Sequence, residues 1–280
     1  MDKETRGVRE LLSFYRDAGV DALLGEEAID RFADDAAPAA IASRSPTPAP
    51  RNERDSGAGV GAAAPMPTAP PSPDVAVMAA REAAKSAGSL EALRALLETF
   101  EGCMLRTTAT QLVFADGNPN ARVMFVGEAP GRDEDISGVP FVGRSGKLLD
   151  QMLAAIGLDR TQAYIANIVP WRPPGNRTPT PQESAICLPF IHRQIELANP
   201  DILVCLGQPS TQTLLHTREG ITRTRGRWFK FHTGSREIRA MATYHPAFLL
   251  RSPLQKRLAW RDFLALKRAL IAPTPPHSPA

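Results

Sequence analysis

The stretch Arg122-Val123-Met124-Phe125-Val126-Gly127-Glu128-Ala129-Pro130-Gly131 runs apolar from Val123 to Val126 and then breaks at glycine and proline around a single carboxylate. A short apolar run closed by turn residues reads as a strand buried on both faces. The same device recurs at Ala163 to Val169, Asp201 to Leu206 and Arg239 to Tyr244. Helical patterns fill the gaps, from Ser145 to Ile156, closed by Gly157, and from Thr180 to Ala198. The second opens with Thr180, Pro181 and Glu183, which supply a capping threonine, a proline in the first turn and a glutamate that reaches back to the cap. Upstream, Ser89 is placed to cap a leucine-rich helix, and a last helix spans Leu254 to Ile271. Strands alternating with helices predict an α/β fold with a parallel sheet covered on both faces.

Outward from this core the composition changes. Nine prolines fall between Pro38 and Pro73, in text made mostly of Ala, Pro, Ser, Thr and Gly. Such a segment buries too little apolar surface to offset its ordering entropy, so residues 34–85 are expected to be a disordered Pro/Ala-rich linker. Before it, residues 1–33 carry apolar side chains at helical spacing and read as a helical appendage, with a partner-docking role as the sharper alternative. The folded domain is placed at 86–272 and a disordered tail at 273–280. The 280 residues, 43% hydrophobic and with a formal net charge of +3, fit one large domain or two small ones. No run approaches a membrane-spanning length, and Met1-Asp2-Lys3-Glu4 lacks signal-peptide features, so a cytoplasmic protein with no membrane association is expected. Cys103, Cys187 and Cys205 are too few and too scattered for a disulfide framework.

In an open parallel sheet, ligands collect beyond the carboxyl ends of the strands. Those positions hold Glu128, Ala129 and Gly131 after the first strand, Asn167 in the second, Gly207 and Ser210 after the third, and His245 through Arg251 after the fourth. Read alone, Glu128 fits a solvated loop residue or a helix cap as well as a catalyst, and His245 fits a hydrogen-bonded structural residue. Asn167 stands where strand propensity disfavours an amide, which points to a ligand or to a structural hydrogen bond. Between Arg218 and Arg268 thirteen Arg or Lys face only Glu219, Glu237 and Asp262, a polyanion-binding profile. Within it Arg223 to Lys230 interleaves cations with Trp228 and Phe229, in the manner of nucleic-acid surfaces. No GxGxxG follows the first strand and no GxxxxGK[ST] occurs, which disfavours a nucleotide cofactor.

Gly127-Glu-Ala-Pro-Gly131, the segment Gly138 to Asp150, Asn167 with Arg172-Pro-Pro-Gly-Asn-Arg177, and His245-Pro-Ala-Phe-Leu-Leu-Arg251 resemble, in order, the motifs of the family 4 uracil-DNA glycosylases. The resemblance covers about Ser89 to Ile271. It implies a three-layer α/β/α fold on four parallel strands, and a hydrolase that flips uracil out of DNA and leaves an abasic site. It further implies Glu128 and His245 as catalytic residues, and Ala129, Glu134, Phe141 and Asn167 as substrate-binding residues, with Phe141 stacking and Asn167 reading the base edge. Gly131, Gly207, Ser210, Leu249 and Arg251 are implied as DNA-binding. Uracil-containing DNA is the partner and a monomer the working form. Hypoxanthine or xanthine excision, a catalytically silent DNA-binding relative and a small-molecule nucleotide hydrolase remain as alternatives.

The family typically holds a 4Fe-4S cluster on four cysteines. Here Cys103 and Cys187 match two of those places, while Phe100 and Trp171 stand at the other two. Two thiolates fall short of the usual four, so the expectation is no cofactor, with apolar packing around Phe100 and Trp171 in the cluster's place.

Overall fold

The computed structural model describes residues 73–271. The expected appendage at 1–33, the linker up to residue 72 and the tail at 273–280 lie outside them. The elements are, in chain order, α1 (Pro73–Ser86), α2 (Leu90–Thr99), α3 (Leu105–Thr108), β1 (Asp116–Gly117), β2 (Val123–Gly127), α4 (Arg132–Ser137), α5 (Arg144–Ala155), β3 (Tyr164–Asn167), α6 (Pro181–Ala198), β4 (Ile202–Leu206), α7 (Gln208–Leu215), α8 (Ile221–Thr224), β5 (Trp228–His232), β6 (Glu237–Thr243), α9 (Pro246–Arg251) and α10 (Lys256–Ile271).

The four expected strands form the parallel centre of the sheet, in the order β3-β2-β4-β6. Two antiparallel edges extend it to six strands: the two-residue β1 beside β3, and β5 beside β6. All five residues of β2 and of β4 are buried, as a sheet covered on both faces requires. Alternate side chains divide the core. Met124 and Val126 of β2 and Leu203 and Cys205 of β4 point into the layer made by α1, α2 and α6. Val123 and Phe125, with Val204 and Leu206, meet Leu149 and Leu153 of α5 and Phe263 and Leu266 of α10 on the other face. The fold is therefore the expected α/β/α sandwich.

Helix ends follow the sequence signals. The Ser89 hydroxyl accepts from Ala92 N at 3.2 Å, and Thr180 accepts from Glu183 N at 3.2 Å while the Glu183 carboxylate returns to Thr180 N at 2.7 Å. The linker reading fails at its end, because Pro73–Ser86 is the helix α1. Its buried residues Ala76, Ala80 and Ala84, continued by Ala87, form a stripe of small side chains against α6, pinned by Arg193, which donates to the Ala87 carbonyl at 2.7 and 2.9 Å. Alanine is the strongest helix former, and here it packs by fitting closely rather than by filling volume.

Candidate active site

The sheet order reverses between β2 and β4, and at the carboxyl ends beside this reversal lies a cleft of about 600 Å³. The pairing of Gly127 with Asn167 sets Glu128 and Asn167 side by side at its floor. Gly207 follows β4 and donates its N–H to Thr243 O at 2.8 Å, which brings the end of β6 and His245 to the same rim. Ala129, Gly131, Glu134, Phe141 and Arg251 complete the expected lining. Tyr244, Phe248 and Asn176 join it, unforeseen because each looked like an ordinary neighbour of a motif residue.

Two glycines let these groups converge. A β-carbon on Gly127 would lie 2.4 Å from Asn167 Oδ1 and 2.7 Å from Phe141 Cζ. One on Gly207, whose φ is +88°, would lie 2.9 Å from His245 Cβ. The Phe141 ring meets the His245 imidazole at 5.5 Å between centroids and a 30° tilt. Glu128 Oε1 and Asn167 Oδ1 are buried with no hydrogen-bond partner among the described residues. A buried polar atom left unpaired is unfavourable, and these two acceptors await donors from whatever fills the cleft.

Burial pushes the Glu128 carboxyl above the usual carboxylate range. Burial, reinforced by the positive charge of Arg251, lowers His245 to about 4, so its imidazole is neutral at pH 7. His245 Nδ1 accepts from Ala247 N at 3.1 Å, which places the ring proton on Nε2. The site thus offers a neutral N–H donor, a hydrogen-bonding amide and a poorly solvated carboxylate.

Other expected residues serve the scaffold. Glu134 lines the cleft, but its carboxylate accepts from Gly131 N at 3.1 Å, Val142 N at 3.0 Å and Gly143 N at 2.9 Å, so it ties the loops around the site. Ser210 is fully buried in α7 and its hydroxyl donates to Leu206 O and Gly207 O at 2.9 and 3.2 Å, which removes it from any phosphate contact. Leu249 is also corrected. The run after His245 forms the helix α9, whose turn sends Leu249 into a cluster with Leu148, Tyr244 and Ala259, while Ala247, Phe248 and Arg251 face the cleft.

The cationic run Arg223 to Lys230 is largely neutralised within the chain. Arg225 pairs with the buried Asp262, Arg227 with Glu219 at 2.6 Å and Lys230 with Glu237 at 2.9 Å, and Trp228 to His232 is the edge strand β5. These pairings use the three acids already set against the thirteen cations of 218–268, so the basic excess of that stretch stands, carried by its other Arg and Lys side chains.

A model of the Uracil DNA glycosylase superfamily matches residues 114–264. Type-4 uracil-DNA glycosylase of Archaeoglobus fulgidus is 42% identical over 165 residues, which cover 58% of this chain and 83% of that protein. The chain belongs to the type-4 uracil-DNA glycosylases. Other type-4 glycosylases match similarly: that of Sulfurisphaera tokodaii is 40% identical over 190 residues, 66% of this chain and 86% of its own, and that of Thermotoga maritima 43% over 151 residues, 54% and 77%.

The cluster that the type-4 resemblance implies does not fit the residues present. Cys103 and Cys187 are both buried, and the neighbouring Cys103 thiol, together with burial, pushes Cys187 well above the ordinary thiol range. At the other two type-4 cysteine places, the Phe100 ring packs edge-on against Phe190 at 4.9 Å and Trp171 is 2% exposed within the same apolar core. The Phe100 ring also lies over Gly102, where a β-carbon would meet it at 2.5 Å. Two thiols, a phenyl ring and an indole are not a four-thiolate donor set.

Proposed function

We propose that this chain excises uracil from DNA by hydrolysing its N-glycosidic bond, leaving an abasic site as the first step of base excision repair, and that it does so without an iron-sulfur cluster. Membership of the type-4 glycosylases supports the reaction. The observation in the cleft that carries it is the buried, unpartnered Asn167 Oδ1 beside the Phe141 ring.

The chemistry follows from these groups. A base inside a duplex is out of reach, so the nucleotide must leave the stack and enter the cleft. There Phe141 stacks on the base while Asn167 Oδ1 accepts from uracil N3–H and its amide nitrogen donates to O4. Cytosine presents an acceptor at N3 and a donor at the exocyclic amine, which would leave buried groups unpaired on both sides. As the glycosidic bond stretches, negative charge grows on uracil O2 and positive charge on the sugar. A neutral His245 donating from Nε2 stabilises the first without first losing a proton. The Glu128 carboxylate, short of solvent, stabilises the second and accepts a proton from the attacking water.

The same reading takes the enzyme as a monomer acting on DNA inside the cell. Among the described residues no helix is long and apolar enough to cross a membrane. The decisive test is uracil release from a labelled oligonucleotide by wild-type protein whose iron is measured on the same sample. Release with iron far below one per chain is the expected result. No release, or release that appears only after cluster reconstitution, would overturn it.

A further inference from the structure

Phe141 adopts φ +55°, and the other non-glycine residues with positive φ among those described are two asparagines and a histidine, Asn176, Asn199 and His216. Asn and His enter the left-handed region readily, but an aromatic residue there is a strained exception that its surroundings must enforce. The enforcement is visible. Arg160, in the one-turn 3-10 helix before β3, donates from Nη1 to Pro140 O at 3.1 Å and from Nη2 to Phe141 O. The guanidinium is itself held by Asp150 at 2.8 Å from Nε and by Asp116 at 2.5 Å from Nη1. On the opposite side the Phe141 carbonyl rests on Gly146, where a β-carbon would lie 1.7 Å from the oxygen. Arg160 itself does not line the cleft.

We infer that Arg160 is a positioning residue for base recognition: by gripping two successive carbonyls it locks the left-handed turn that presents the Phe141 ring to the flipped base. The inference rests on the stacking role given to Phe141 above. The planar fork of arginine is what the geometry uses, since it reaches two carbonyls on one edge while two carboxylates hold the rest. Lysine keeps the charge between Asp116 and Asp150 but has no fixed fork, and with the grip gone the backbone at Phe141 relaxes to negative φ and withdraws the ring.

The test compares wild type with Arg160→Lys, Phe141→Leu and the double variant, measuring single-turnover uracil release, inhibition by free uracil and affinity for abasic-site DNA. Arg160→Lys is expected to weaken inhibition by free uracil and to slow excision, each by roughly tenfold, the scale of one lost base–aromatic stack. Binding to abasic DNA, which has no base to stack, should be unchanged, and the double variant should be no worse than the poorer single one. Asp150→Asn loosens the guanidinium without touching the carbonyls, and it should give a smaller change of the same kind even if Arg160→Lys does not fold. Unchanged uracil inhibition in Asp150→Asn and in any folded Arg160→Lys, with only a lowered melting temperature, would overturn the inference. So would effects that multiply in the double variant. A wild-type chain that releases no uracil would overturn the functional reading and this inference with it, whereas an active wild type with unmoved variants overturns only the inference.

Discussion

At Glu128 the proposed chemistry and an energetic penalty fall on one carboxylate. Glu128→Gln should lower single-turnover excision by roughly 10² to 10⁴ while sparing DNA affinity, and Glu128→Ala should raise stability by about 1 kcal/mol because it removes a desolvated, unpartnered acceptor; urea melts alongside kinetics would show the two effects in opposite directions. Excision should rise with pH across an acid limb set by Glu128, whose ionisation lies above the ordinary carboxylate value, and the limb should vanish in Glu128→Gln. His245 acts on stability with a definite sign. The unfolded chain protonates it near the free value of about 6.5 and the folded chain only near about 4, so the unfolded state binds more protons between those values. Stability is then flat above about pH 6.5 and falls as pH drops towards 4, by about 3 kcal/mol from this residue. His245→Gln should flatten that slope. Asn167→Asp replaces the donor facing O4 with an acceptor, so uracil release should fall and cytosine release become measurable in the same oligonucleotide assay.

Among the elements, the strands carrying the site were legible because fully buried parallel strands are written as unbroken apolar runs, and Glu128, Asn167 and His245 could be placed from the strand ends alone. β5 was not legible. As an edge strand it reads Trp-Phe-Lys-Phe-His, partly buried and partly exposed, with no clean apolar run or alternation, and its mix of cations and aromatics resembles a nucleic-acid surface more than a strand. Nor was α1, since alanines in a proline-rich context suggest poor packing, and only the α6 surface shows why small side chains suit the seam. Ser210 and Leu249 were misjudged for a related reason. Chain position brought them near the site, while helical turns in α7 and α9 directed them inward. At the end of β2, Gly127→Ala should reduce excision at least tenfold with little loss of secondary structure, because the added carbon displaces the Asn167 and Phe141 side chains together; kinetics paired with far-ultraviolet circular dichroism would separate the two.

Across the whole molecule, the layer holding α1, α2 and α6 is closed by Phe100, Trp171, Phe190 and the Cys103–Cys187 thiol pair. Replacing both cysteines with alanine should therefore lower stability by about 1 to 3 kcal/mol and leave the excision rate unchanged, and prolonged chelation should alter neither. On the cluster-free reading proposed above, this region is sealed by its own side chains. Maturation then becomes a matter of collapse alone. Protein diluted out of urea into chelator, in air and with no assembly machinery, should regain excision as fast as its tryptophan fluorescence recovers, and its supply in the cell would be set by translation rather than by iron delivery.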